Sequence, residues 1–181
     1  MRLESMESEQ QIEWSMLCNR AIEHLRDFGH VKRSKYRPVA QFLILPSFAD
    51  TRCVDVLERD DTLLAFHTIW KSTTDINAFS TPVERLKHPH IFMPTYDSVE
   101  LDVGAASLQN LLSTIGGVNL KLTPTTNTIC VDGTSYELYV CPGYTGIRLR
   151  WHHELPDEWE MLRPARDTFL ELETLSCLIA G

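Results

Sequence analysis

Apolar residues recur three and four positions apart at Trp14, Leu17, Ala21, Leu25 and Phe28, and Gly29 follows them. That spacing puts one apolar stripe on a helix, with a glycine placed to cap its end. Ser8 and Gln11 have the spacing of a capping box, so the pattern predicts a first helix over about residues 9–28. From Val39 to Leu45 the pattern changes to a β-prone run stopped by Pro46. Cys53–Leu57 and Leu63–Trp70 flank Arg59-Asp60-Asp61, which predicts a hairpin and, with the preceding run, a three-stranded meander.

Residues 72–100 carry Thr73, Thr74, Asp75, Asn77, Ser80 and Pro82, with breaks at His88-Pro89-His90 and Met93-Pro94. They read as a long loop, or as one hiding a short helix such as Pro82–Lys87. Leu108, Leu111, Leu112 and Ile115 predict a second helix from about residue 104, closed by Gly116-Gly117. Ile129-Cys130-Val131, Asp132-Gly133 and Tyr136–Val140 predict another hairpin, because Asp-Gly suits a type I′ turn. Ile147, Leu149 and Trp151 alternate with Arg148, Arg150 and His152, as in a half-buried strand with a basic outer face. Leu155-Pro156-Asp157-Glu158 opens a last helix with the stripe Trp159, Leu162, Ala165, Phe169 and Leu172, which Pro164 kinks or divides in two.

These elements define an α+β protein, with antiparallel β-meanders of about six strands packed against an N-terminal, a middle and a C-terminal helix. The expected organisation is a single domain over 1–181. It comprises an N-terminal helix (1–29), a first meander and long loop (30–103), and a helix, second meander and C-terminal helix (104–181). With 181 residues, 43% hydrophobic and 23% charged, the chain can build one core without a disulfide or metal staple.

Cys18, Cys53, Cys130, Cys141 and Cys177 are too far apart, and odd in number, for a disulfide framework or a zinc ribbon. The opening MRLESMESEQ lacks the apolar stretch of a secretory signal, and no run is long enough to span a membrane. The expectation is a cytoplasmic protein with reduced cysteines and no membrane contact. The net charge of −8 is uneven: residues 30–37 (HVKRSKYR) hold four Lys/Arg, whereas residues 154–175 hold seven acidic and two basic side chains. This balance disfavours a nucleic-acid partner, and the acidic segment suits a basic protein.

Candidate chemistry is sparse. His88 and His90 could chelate, but they are only two ligands, and the adjacent His152 and His153 point to opposite faces of a strand. No metal and no cofactor are expected. Cys130 or Cys141 could meet His152 or His153, although nothing in the sequence marks an activated thiol. Asp97, Glu100 and Asp102 are acids two or three apart in the loop region. Gly104, Gly116 and Gly117 form no phosphate loop, and Gly143-Tyr144-Thr145-Gly146 reads as a turn. Arg148 and Arg150, with Tyr139 on the neighbouring strand, make either a small binding surface or ion pairs with the acidic C-terminal helix.

Leu45-Pro46-Ser47-Phe48, the stretch Asp132-Gly133-Thr134-Ser135-Tyr136-Glu137-Leu138, and Trp151 followed by Leu155-Pro156-Asp157-Glu158-Trp159 resemble small uncharacterised bacterial α+β proteins. Some of these are encoded beside toxins as immunity partners. The resemblance covers about the last fifty residues and part of the first meander, and it transfers no site residues. It implies a non-enzymatic binding module with one protein partner, a basic toxin, that it binds and neutralises. The candidate contact residues are Glu154, Asp157, Glu158 and Glu160, with Arg148 and Arg150 beside them. Two alternatives remain open: a small hydrolase-like enzyme assembled around His152, His153 and the 88–102 loop, and a structural subunit of a larger assembly.

Overall fold

The computed structural model describes residues 2–31, 35–47, 49–80, 94–118, 133–141 and 146–179. Their centre is one open, fully antiparallel sheet of six strands, built from both the 30–103 and the 104–181 segments. The strands are β1 (Arg37–Pro46), β2 (Arg52–Arg59), β3 (Thr62–Trp70), β4 (Tyr96–Leu101), β5 (Thr134–Val140) and β6 (Ile147–His152), in the spatial order β4-β3-β2-β1-β5-β6. Among the described residues, four α-helices flank it: α1 (Arg2–Arg26), α2 (Ser72–Ser80), α3 (Ala105–Gly116) and α4 (Arg163–Ile179). A short 3₁₀ helix, Asp157–Leu162, leads into α4.

The α+β class and the three expected helices are present. β1 is a near-continuous apolar run because it is a central strand covered on both faces. Ala40, Phe42 and Ile44 face α3 and α4, whereas Leu43 faces α1. Phe42 stacks on Phe169 of α4 with 5.2 Å between ring centres and on Tyr136 of β5 at 5.7 Å, which makes an aromatic layer the heart of the larger core. On the other face, Ala21 and Leu25 of α1 meet Leu43, Cys53 and Trp70.

Three expectations change. The 72–100 region is not one loop: Ser72–Ser80 is helical and Tyr96–Leu101 is a sheet-edge strand. Asp50 accepts from both the backbone N–H and the hydroxyl of Ser72 at the start of α2, and Asp75, which resembled loop punctuation, accepts from Trp70 Nε1 at 2.6 Å, so both acids hold α2 in place. The expected 129–131 hairpin arm lies outside the described residues. Both edges of β5 are already taken, by β1 and by β6, so β5 completes a sheet with the first meander rather than a separate one. Among the described residues, a two-residue turn with positive φ at both centres falls at Asp60 and Asp61, at φ 50° and 60°, whereas Asp132 of the expected Asp-Gly turn lies outside them. The short helix suggested at Pro82–Lys87 also lies outside the described residues.

α1 begins well before the Ser8–Gln11 pair, which sits inside the helix. Pro164 divides the last segment rather than kinking it. It occupies the first turn of α4, where the backbone N–H it lacks has no helical partner to lose. Ahead of it Pro156, Trp159 and Leu162 are buried at a spacing of three, the period of a 3₁₀ helix.

Candidate functional site

The most chemically dense region lies where α1 ends over the sheet. The end is a Schellman closure: Gly29 N–H donates to the His24 carbonyl at 2.7 Å and Phe28 N–H to the Leu25 carbonyl at 2.9 Å. Phe28, not Gly29, takes the left-handed position, at φ 53°, and its ring packs against Tyr139 at 5.7 Å. Gly29 serves a different need: a Cβ there would stand 1.9 Å from the His24 ring.

A helix end leaves carbonyl groups without helical donors. Here sheet side chains supply them. Arg148 Nη2 donates to the Arg26 carbonyl at 2.9 Å, and Gln41 Nε2 gives the Leu25 carbonyl a second donor at 2.9 Å besides Phe28 N–H. Further back, the Tyr96 hydroxyl donates to the Ala21 carbonyl at 2.9 Å. The cationic Arg148 also complements the negative end of the helix dipole. Arg26 forms a two-pronged ion pair with the buried Glu137 carboxylate, with Nε donating at 2.8 Å, and Arg148 approaches the same carboxylate at 3.4 Å.

Beside this network, Cys53 and Asp55 project from alternate positions of β2 toward α1, and His30 reaches them from the turn after α1. His30 Nε2 donates to Asp55 Oδ2 at 2.7 Å, the Cys53 thiol donates to the same oxygen at 3.5 Å, and Gln41 Nε2 donates to Oδ1 at 2.8 Å. Three donors thus satisfy a fully buried carboxylate. The carboxylate stands between thiol and imidazole, so no base contacts the thiol in the order that nucleophilic catalysis needs. Complete burial, followed by the Asp55 charge, pushes the Cys53 thiol well above its ordinary pKa and keeps it protonated. His30, Val31, Tyr36, Leu57, Phe66, Thr68 and Ser98 line a cavity of about 170 Å³ at this cluster.

The residues singled out from the sequence lie elsewhere or play other parts. Arg148 is half-buried in the helix-capping network and packs over Tyr139 at 4.9 Å, and Arg150 lies 3.7 Å from Glu137. Both arginines therefore turn to the α1 face rather than toward the acidic C-terminal helix. His152 and His153 sit at the end of β6, where His152 Nδ1 lies 3.0 Å from the Ser135 hydroxyl. Cys141 is at the other end of the same hairpin, roughly 20 Å away by strand rise, so it does not meet either histidine. The described part of the 88–102 region forms the opposite edge of the sheet, about 24 Å from β6 by strand spacing. Asp97 pairs with Lys71 at 3.0 Å, and Glu100 points to the other face of β4. His88, His90, Cys130 and residues 143–145 lie outside the described residues.

Asp157 and Glu160 are exposed at a spacing of three, which aligns them along one side of the 3₁₀ helix, with Glu158 half-exposed between them; Glu154, also exposed, lies in the bend ahead of the helix. The opposite side is anchored by Leu155, Trp159 and Leu162, with Trp159 edge-on to Trp151 at 6.4 Å. Glu160 pairs with Arg163 one turn on, which lowers the pKa of its carboxyl. Met161, an exposed apolar side chain, lies on the same short helix.

The buried cluster was not legible in the sequence because His30, Cys53 and Asp55 come together only through the helix-end turn and strand pairing. Comparison of the chain with protein-family models, with curated proteins and with solved structures finds no match in any of the three. Among the described residues, no helix is long and apolar enough to cross a membrane.

Proposed function

We propose that the chain is a protein-binding module whose acidic 3₁₀ segment docks a basic protein partner. The supporting observation is that exposed Asp157 and Glu160 are carried on a short helix whose other side is locked into the core, with exposed Glu154 just ahead of it. Ordering a surface before encounter lowers the entropic cost of binding, and a row of like charge accelerates approach of an oppositely charged partner. Met161 adds an adaptable apolar contact beside the charges. The resemblance to toxin-immunity proteins makes a basic toxin the partner class of this reading. A cytoplasmic site of action agrees with Cys18, Cys53 and Cys141 all being free thiols.

The test compares wild type with the fourfold variant Glu154→Lys, Asp157→Lys, Glu158→Lys and Glu160→Lys in cross-linked capture from the native cell. Wild type should retain one stoichiometric basic protein, toxic when expressed alone, and the retention should weaken with salt. The folded reversal variant should lose it. Equal capture by both proteins removes the acidic row from the interface, and a wild type that captures nothing removes the binding reading.

A further inference from the structure

The polar cluster beneath the end of α1 brings one imidazole nitrogen, one sulfur and one carboxylate oxygen within 4.8 Å of one another. Ligand bonds of about 2.0–2.3 Å in a tetrahedral zinc site place neighbouring ligand atoms roughly 3.3–3.8 Å apart. His30 Nε2 and Asp55 Oδ2, at 2.7 Å, must therefore open by a few tenths of an ångström, and Cys53 Sγ, 3.5 Å from that oxygen, is already at such a spacing. His30 and Cys53, within 4.8 Å of each other, complete the triangle. Cys53 and Asp55 are held on one face of a central strand, so two of the three ligands are pre-positioned.

A second observation points to the same place. The His30 side chain is only 3% exposed, yet its Nδ1 has no hydrogen-bond partner in the protein. That ring also forms part of the wall of the 170 Å³ cavity, together with Thr68, which pairs directly across from Cys53. The Thr68 and Ser98 hydroxyls, 2.9 Å apart, give this wall a polar patch. A metal-bound imidazole needs an acceptor for its outer N–H, and three protein ligands leave a coordination position to be filled. The cavity beside His30 has room for water molecules that serve the first need.

We propose that His30 Nε2, Cys53 Sγ and Asp55 form a binding site for a borderline divalent cation of the zinc class. The donor set selects the ion: calcium and magnesium take oxygen ligands, whereas mixed nitrogen, sulfur and oxygen donors suit zinc and cobalt. On binding, the metal–sulfur bond forms as the S–H bond is lost and its proton passes to solvent, and the metal–nitrogen bond forms as the His30 proton leaves Nε2 and Nδ1 takes one up from solvent. The hydrogen bonds from Cys53 and His30 to Asp55 give way to metal–ligand bonds. The bound ion ties the turn after α1 to β2. The inference is independent of the acidic docking row, and the two stand or fall separately.

Cobalt(II) is the probe, because thiolate coordination adds a charge-transfer band that nitrogen and oxygen ligands alone do not produce. The full chain, stripped of metal and reduced, should take up one equivalent of Co²⁺ with that band and tetrahedral d–d absorption. Zn²⁺ should displace the cobalt and raise the unfolding temperature, since it binds the folded state. Cys53→Ser should abolish the band with the circular dichroism spectrum unchanged; if that variant does not fold, His30→Gln carries the same comparison. The double variant His152→Gln/His153→Gln, away from the cluster, should bind as wild type does. No thiolate band in wild type, or a band that survives both ligand substitutions, overturns the site.

Discussion

The Arg148 guanidinium of the outermost strand donates to the Arg26 carbonyl oxygen at 2.9 Å, so the sheet edge holds the end of the first helix. The same guanidinium packs over Tyr139 at 4.9 Å and approaches Glu137 at 3.4 Å. Arg148→Ala should therefore destabilise the fold by about 2 kcal/mol, the scale of losing a charge-assisted hydrogen bond with its packing. Arg148→Lys should recover less than half of that, because a point charge cannot make the forked and stacked contacts together. Urea unfolding of the three proteins checks both statements.

Glu137 is the acid on which Arg26 and Arg148 converge, and its side chain is only 1% exposed. Glu137→Ala leaves Arg26 and Arg148 facing a buried gap, with the more exposed Arg150 beside them, and should cost about 3 kcal/mol. The loss reports unpaired charge more than the net worth of the pair. A double-mutant cycle with Arg26→Ala should accordingly show a loss smaller than the sum of the two single changes. Additive losses would mean that the contact carries little energy.

Gly29 lacks a side chain because His24 occupies the space where one would be. Gly29→Ala should destabilise by about 1–3 kcal/mol through overpacking at a site that must shift backbone or ring. Introduced into a His24→Ala background, the same alanine should cost much less. Thermal unfolding of the two pairs separates steric overlap from any intrinsic dislike of alanine at that position.

The α3 stripe and the apolar stripe of the last segment could be read along the chain because each has one side that faces a core, and the β1 run because that strand is covered on both faces; the 3₁₀ form of the stretch before Pro164 could not. β4 could not: Tyr96-Asp97-Ser98-Val99-Glu100-Leu101 is an edge strand with mostly exposed residues, and its polarity resembles that of a loop. The polar layer under α1 was hidden for a different reason. Gln41, Asp55 and Glu137 are buried through partners fourteen or more positions away, or by groups on the helix end, and no local pattern marks them. The C-terminal acids were visible as composition, but their alignment needed the 3₁₀ geometry.

His67 gives the fold an acid-side sensitivity that begins above the carboxylate range. It is buried under α4 near the Arg52–Glu173 ion pair, and its Nε2 has no hydrogen-bond partner in the protein. Burial lowers its pKa; the charge of Glu173 opposes that shift, and Arg52 reinforces it. The folded state therefore binds this proton less readily than the unfolded chain, whose histidine titrates near ~6.5. Stability from this group is complete above that value, declines as pH falls through the lowered folded pKa, and levels off below it. The urea midpoint of wild type should fall between about pH 7.5 and 5, and His67→Gln should flatten the decline over the same interval. Comparing slopes removes the constant cost of the substitution, and an unchanged slope would assign the decline to other groups.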